Sequence, residues 1–137
     1  MRTKIVTEII SLHEFFSAWF RGDSDATIGR LETALDQRFV MISPNGARID
    51  RADVISAVEA GHGSRPITIR IKQPDVSWVH DDFGLATYEE WQESDSDTTG
   101  RVSTALFRAD PAAPNGVVWM HLHETWITPS TDLAIDP

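Results

Sequence analysis

The stretch Trp119–Ile127 reads WMHLHETWI and follows a loop that ends in Asn115-Gly116. Its composition predicts a β-strand, and side chains on a strand point to opposite faces in turn. In a regular strand, one face carries Trp119, His121, His123 and Thr125, and the other carries Met120, Leu122, Glu124 and Trp126. Neither face is uniformly apolar. We therefore expect a strand that lines a pocket on one side and packs against a second layer or a partner subunit on the other.

Other segments with strand-like composition precede this one and predict a sheet. A hairpin is expected around the turn Pro44-Asn45-Gly46, between strands at Arg38–Ser43 and Ala47–Ile49. Four antiparallel strands should follow as a meander, and a turn at Pro74-Asp75 should separate the segment that ends at Lys72 from the strand that begins at Val76. The predicted segments of this meander are Ile67–Lys72, Val76–His80, Leu85–Glu93, Arg101–Ala109 and Val117–Thr128.

Apolar residues recur at helical spacing in three segments, Lys4–Arg21, Ala26–Leu35 and Arg51–Ala60. His13 faces away from the main apolar stripe of the first segment, so we expect it to be half exposed. Because the helices precede the meander, the pattern predicts an α+β fold in a single domain spanning residues 1–137. We expect an ordered core over residues 4–128 and a loose tail over residues 129–137.

The composition excludes several classes of function. The chain has 137 residues, no cysteine, and a net charge of −9 from 12 basic and 21 acidic residues. Cysteine nucleophiles, disulfides and thiolate metal sites are therefore absent, and the acidic balance argues against nucleic-acid binding. No apolar run is long enough to cross a membrane, and none at the N-terminus suggests a signal peptide. We expect a cytoplasmic protein with no membrane partner.

Three stretches carry a family resemblance: Phe15–Asp23 at the end of the first helix, Phe39–Gly46 before the third helix, and Trp119–Trp126 with Ala86–Trp91. In these motifs the chain resembles the SnoaL/DUF4440-like branch of the NTF2-like superfamily. The resemblance covers about Ile5 to Ile127. It implies a cone in which N-terminal helices pack on a strongly curved antiparallel sheet around a pocket. It also implies a homodimer formed through the outer face of that sheet.

The resemblance directs attention to His123 as a possible acid or base. The branch often ends in two histidines separated by one residue, but Thr125 replaces the second one here. A histidine has an unperturbed pKa near ~6.5, which suits proton transfer, and Glu90 or Tyr88 could orient His123. The alternative is a buried histidine whose role is structural. A glutamate facing inward likewise needs a partner, and a structural salt bridge is an alternative to catalysis.

Aromatic and polar residues on the predicted inner faces form the candidate ligand-binding set: Phe16, Trp19, Trp78, Trp119, His121 and Thr125. Ordinary core packing and a subunit interface are alternatives for the five tryptophans. His121 and His123 could together bind Zn²⁺ or Fe²⁺, but a third ligand would have to come from elsewhere, such as Glu90 or His80. We expect neither a metal nor a cofactor.

Three functional hypotheses remain open from the sequence. The first is an NTF2-like protein that binds a small apolar or aromatic molecule and has no assigned reaction. The second is an isomerase, cyclase or dehydratase that uses His123. The third is a module for dimerisation or association without a ligand. For the dimer, we expect the outer sheet face to carry Met120, Leu122 and Trp126.

Overall fold

The computed structural model describes residues 1–23 and 25–127, so the predicted tail at 129–137 lies outside the described residues. The helices are α1 (Arg2–Arg21), α2 (Gly29–Glu32) and α3 (Arg51–Ala60). The strands are β1 (Leu35–Ile42), β2 (Arg48–Asp50), β3 (Thr68–His80), β4 (Phe83–Glu93), β5 (Thr98–Ala109) and β6 (Val117–Trp126). None of the described helices is both long and apolar enough to cross a membrane.

The six strands form one sheet in the order β2-β1-β6-β5-β4-β3. Strands β3 to β6 form the predicted antiparallel meander, and β1 and β2 form the predicted hairpin. β1 also pairs in parallel with β6, which brings the hairpin to the far side of the last strand. The predicted α+β fold of helices on a curved sheet is confirmed.

Two local predictions are wrong, and long-range pairing explains both. Residue Leu35 begins β1 instead of ending α2, because it pairs with Trp119 and the amide of Trp119 donates to the carbonyl of Ala34. The predicted turn at Pro74-Asp75 is a bulge inside β3, where Gln73 has a φ of 52°. A proline is tolerated there because β3 is an edge strand of the sheet.

A buried carboxylate ties α1 to the last strand. Glu8 is fully buried and accepts hydrogen bonds from Arg30, Asn115 and the indole nitrogen of Trp119, each at 2.8 Å. A buried charge is tolerated only when it is paired in this way. The position of Trp119 against α1 is therefore fixed by its ring nitrogen as well as by packing.

A bulge in β6 changes which residues face the helices. Phe107 pairs with Trp119 and its neighbour Leu106 pairs with His121, so Met120 is an extra residue. The bulge places Trp119, Leu122 and Glu124 on the inner face. It leaves His121, His123 and Thr125 on the outer face. The expectation that Trp119 shares a face with these histidines is therefore wrong.

Candidate functional site

A cavity of about 190 Å³ lies between the helices and the inner face of the sheet. Most of its wall is apolar. The helices contribute Leu12, Phe16, Val54 and Val58, and the sheet contributes Met41, Leu122 and Trp119. The apolar wall could hold the hydrocarbon part of a ligand.

The other end of the cavity is polar because of the strand register. Tyr88 on β4 lies opposite Ser103 on β5, which lies opposite Glu124 on β6. In the next inward-facing row, Glu90 lies opposite Arg101. The side chain of His13 reaches this group from α1. Four ionisable side chains and one tyrosine therefore share a small buried region.

His13 and Glu90 form a buried pair. The Nε2 atom of His13 lies 3.0 Å from Oε1 of Glu90, and the two side chains are only 4% and 7% exposed. The Nδ1 atom of His13 lies 2.6 Å from the carbonyl oxygen of Ile9. Because a carbonyl only accepts and a carboxylate also accepts, both ring nitrogens act as donors. This arrangement favours the imidazolium form of His13.

The pKa shifts of this pair follow from its geometry. Burial opposes the charge on His13, but the Glu90 carboxylate, their hydrogen bond and the Ile9 carbonyl together raise its pKa above the usual value. Burial also opposes the charge on Glu90, yet His13 and Arg101 outweigh it and lower the pKa of Glu90. Both shifts favour the ion pair over the neutral pair.

Glu124 has the opposite shift although it lies one strand away. It accepts hydrogen bonds from Nη1 of Arg101 at 3.1 Å and from the Ser103 hydroxyl at 3.3 Å. Burial and the nearby charge of Glu90 raise the pKa of Glu124, and Arg101 compensates only in part. Two carboxylates close together cannot both ionise without a penalty, so Glu124 is the one that takes a proton more readily.

Two donors in this region lack a partner. Among the described residues, neither the Tyr88 hydroxyl nor Nε of Arg101 makes a hydrogen bond of normal geometry, and both atoms are buried. The Ser103 hydroxyl lies close to that of Tyr88 but is engaged with Glu124. Burial and the charges of Glu90 and Glu124 raise the pKa of Tyr88, so its hydroxyl remains a donor. An unsatisfied buried donor costs about 1–3 kcal/mol, which an acceptor on a ligand would recover.

The structure brings some predicted site residues to the cavity and leaves others outside it. Phe16, Tyr88, Glu90 and Trp119 line the cavity. Trp19 is buried, and its indole donates to the carbonyl of Val58 without facing the cavity. The remaining four lie on the outer side of the sheet: His121, His123 and Thr125 line a shallow depression there, and Trp78 is 48% exposed.

Three residues at the polar end were missed as site residues. His13 is 3% exposed and not half exposed as expected. Its position four residues after Ile9 and one after Leu12 places it at the edge of the buried stripe, which is the signal that could have identified it. Arg101 was not predicted as a site residue. Glu124 was assigned to the face away from the pocket, because the bulge that turns it inward has no clear signature in sequence.

Comparison with solved structures identifies proteins of the same fold. An NTF2-like protein of unknown function from Pseudomonas aeruginosa is 25% identical, with a TM-score of 0.83 over 91% of this chain and 99% of that one. The CaMKII hub of S. rosetta is 18% identical, with a TM-score of 0.70 over 91% and 95%. An NTF2-like protein of unknown function in nutrient uptake from Rhodospirillum rubrum is 17% identical, with a TM-score of 0.63 over 87% and 98%.

Sequence comparison gives a family as well. No curated protein matches the chain at a significant level. A family model described as "Sucrose-6-phosphate phosphohydrolase C-terminal" matches residues 5–128. The NTF2-like resemblance is confirmed by the solved structures, whereas placement in the SnoaL/DUF4440-like branch stays a prediction. The chain has an NTF2-like fold and belongs to the sucrose-6-phosphate phosphohydrolase C-terminal family.

Proposed function

We propose that this protein binds a small organic molecule in the cavity between the helices and the sheet. The molecule has an apolar body and one hydrogen-bond acceptor, either a carbonyl or a carboxylate. The observation that carries this proposal is the pairing of an apolar wall with two buried donors, on Tyr88 and Arg101, that have no partner among the described residues. In this role Tyr88 orients the ligand and Glu90 fixes His13 beside it.

The cavity volume indicates the size of the ligand part that fits inside it. An apolar cavity of about 150 Å³ can hold benzene, and this cavity measures about 190 Å³. A single six-membered ring with one substituent therefore matches the space. The matching family takes its name from a sucrose-6-phosphate phosphohydrolase. A phosphorylated disaccharide is more polar than the wall of this cavity, so we do not propose that substrate for it.

Calorimetry with three ring-sized probes tests the proposal. We expect benzoate or cyclohexanone to bind more tightly than toluene, which has no acceptor group. Tyr88→Phe keeps the ring and removes the donor, so it should weaken binding of the better probe about fivefold or more, the equivalent of about 1 kcal/mol.

His123→Ala is the matched control, because it removes a side chain from the outer face. Its affinity for the probe should equal that of the wild type. Toluene binding as tightly as both acceptor probes, or an unchanged affinity in Tyr88→Phe, would contradict the proposal.

We do not propose His123 as a catalytic acid or base, because its ring lies on the outer face of the sheet and outside the cavity. An enzyme of the isomerase, cyclase or dehydratase type would have to use the groups at the polar end. There His13 is held as a cation by Glu90, and Glu124 is the carboxyl that protonates most readily. These groups also suit ligand binding without turnover, which is the simpler proposal.

A second candidate function is self-association through the outer face of the sheet. The strand register aligns Trp78, Leu85, Leu106, His121 and Val40 in one row across five strands. Val102 is 42% exposed on the same face. Leu122 belongs to the cavity wall, so the interface predicted from Met120, Leu122 and Trp126 is replaced by this row. One protein of the same fold is a CaMKII hub.

The area of this face indicates a weak dimer. The part of the face centred on this row, taken as three outward residues on each of five strands about 4.8 Å apart, covers roughly 400–500 Å² per copy. A standard stable interface buries about 800 Å² per partner. We therefore expect a homodimer that forms at micromolar concentration. Sedimentation velocity should show its dissociation on dilution.

Val102→Glu should shift the protein to monomer, because it places a charge at an exposed apolar position on β5, the middle strand of the face. Ser56→Glu is the matched control, because it adds the same charge at an exposed position on α3. A monomer at every concentration, or equal effects of both variants, would contradict association through this face.

A further inference from the structure

We infer that His121 and His123 form half of a transition-metal site, which a second copy of the chain completes. The inference rests on the proposed association through the outer face. The β6 bulge places both imidazoles on that face, two residues apart. The sequence pattern alone would have assigned them to the pocket beside Trp119.

The surroundings of the two rings suit a metal ion. By register, His121 lies between Val40 and Leu106, and His123 lies between Ile42 and Thr104. None of these neighbours carries a charge, and among the described residues neither ring makes a hydrogen bond or ion pair. Neutral imidazole nitrogens are good ligands for Zn²⁺, Ni²⁺ and Cu²⁺, with Zn–N distances of about 2.0–2.1 Å.

One copy cannot complete the coordination. Within residues 1–23 and 25–127, no group of three or more histidine, aspartate or glutamate side chains is placed to hold a metal ion. The two partners considered from sequence are both out of reach. Glu90 faces the cavity on the opposite side of the sheet. His80 lies on β3, three strands from β6, which is about 14 Å away.

A two-fold dimer supplies the missing ligands. In an isologous interface each residue contacts the same surface of the partner, so an axis close to these histidines would bring together two pairs. Four imidazoles match the tetrahedral coordination that Zn²⁺ prefers. The predicted stoichiometry is therefore one zinc ion per two chains. Such a bridge would also add stability to an interface whose area is small.

Zinc titration of chelator-stripped protein tests this inference, with ZnCl₂ as the only addition. Calorimetry should show half an equivalent of Zn²⁺ per chain. Sedimentation should show that the dimer dissociation constant falls about tenfold or more, equivalent to about 1.4 kcal/mol. His121→Ala and His123→Ala should each lose both effects.

His80→Ala is the matched control, because His80 is an exposed imidazole near the same face that stacks on Trp78. It should behave like the wild type. One zinc ion per chain with no change in mass would overturn the inference, and so would equal loss in the His80 variant.

Different results would contradict the proposed association and the proposed metal site. A dimer that forms in chelator and does not respond to zinc leaves association standing and overturns the metal site. A monomer in chelator that dimerises with zinc, but not after His123→Ala, supports the metal site and contradicts metal-free association.

Discussion

At the scale of single residues, two glutamates of the same cavity behave differently. Glu90 faces a histidine that it keeps charged, and its pKa is lowered. Glu124 shares Arg101 with that same carboxylate, and its pKa is raised. Both carboxylates are buried, so their opposite pKa shifts come from their charged neighbours and not from a difference in burial.

Neutralising each glutamate should therefore have opposite effects on stability. Glu90→Gln leaves the buried His13 cation without its counter-charge and should lower the free energy of unfolding by about 1–3 kcal/mol at neutral pH. Glu124→Gln removes the charge that burial penalises, and its amide oxygen can still accept from Arg101. It should leave stability unchanged or raise it by up to about 1 kcal/mol.

Urea denaturation of both variants near pH 7 measures these values. A stability loss in Glu124→Gln as large as that in Glu90→Gln would contradict the assigned charges.

The free energy of unfolding should depend on pH through the protonation of His13. Its folded pKa is raised, so its stabilising contribution is fully present below the unfolded value of about 6.5. That contribution is lost as the pH rises through the folded pKa. The stability difference between wild type and His13→Gln should therefore shrink as the pH rises above about 6.5. A difference that stays constant, or grows with pH, would contradict the ion pair.

Sequence alone identified part of this site. The period of two on β4 placed Tyr88 and Glu90 on one face, and both line the cavity. His13 was missed because a single polar residue at the edge of an apolar stripe usually faces solvent. Its burial depends on Glu90, which is 77 positions later in the chain. Such a pairing becomes visible only when the helix is placed on the sheet.

At the scale of elements, the bulge in β6 determines which side chains of the last strand face the cavity and which face outward. One extra residue at Met120 turns Leu122 and Glu124 inward and turns both histidines outward. A shift of one residue exchanges every side chain that follows between the two faces. No turn residue or glycine at this position indicates a bulge. Regular alternation therefore predicted the wrong faces for the residues of β6 that follow Trp119.

The contact between α1 and the sheet also makes a testable prediction. Gly84 on β4 lies directly under Ile5, which is fully buried, and a Cβ at this position would overlap the end of that side chain. Gly84→Ala should therefore lower the free energy of unfolding by about 1–3 kcal/mol.

Gly29→Ala is the control, because a Cβ at that position in α2 would make only an ordinary contact, 3.8 Å from the Thr27 hydroxyl, and alanine favours a helix. It should leave the midpoint of thermal unfolding unchanged or slightly raised. Equal losses in the two variants would mean that the glycine at position 84 is not needed for close packing.

At the scale of the whole molecule, one sheet separates two surfaces with different proposed roles. The inner face and the helices enclose a ring-sized cavity with a polar end, and the outer face presents an apolar row with two histidines. The order of helices and strands predicted this architecture well, because it depends on patterns spread over the whole chain. The division of the β6 side chains between the two surfaces depends on one bulge and was not predictable.

The indole signals of a nitrogen-15 labelled sample test the central proposal most directly. The chain has five tryptophans, and Trp119 alone among them lines the cavity. Trp78 and Trp91 lie on the outer face by register, and Trp126 stacks on Arg101.

On titration with benzoate, we predict that the Trp119 indole resonance shifts with saturation while those of Trp78 and Trp91 stay in place. A saturable shift of Trp78 or Trp91 with Trp119 unmoved would contradict the cavity as the binding site.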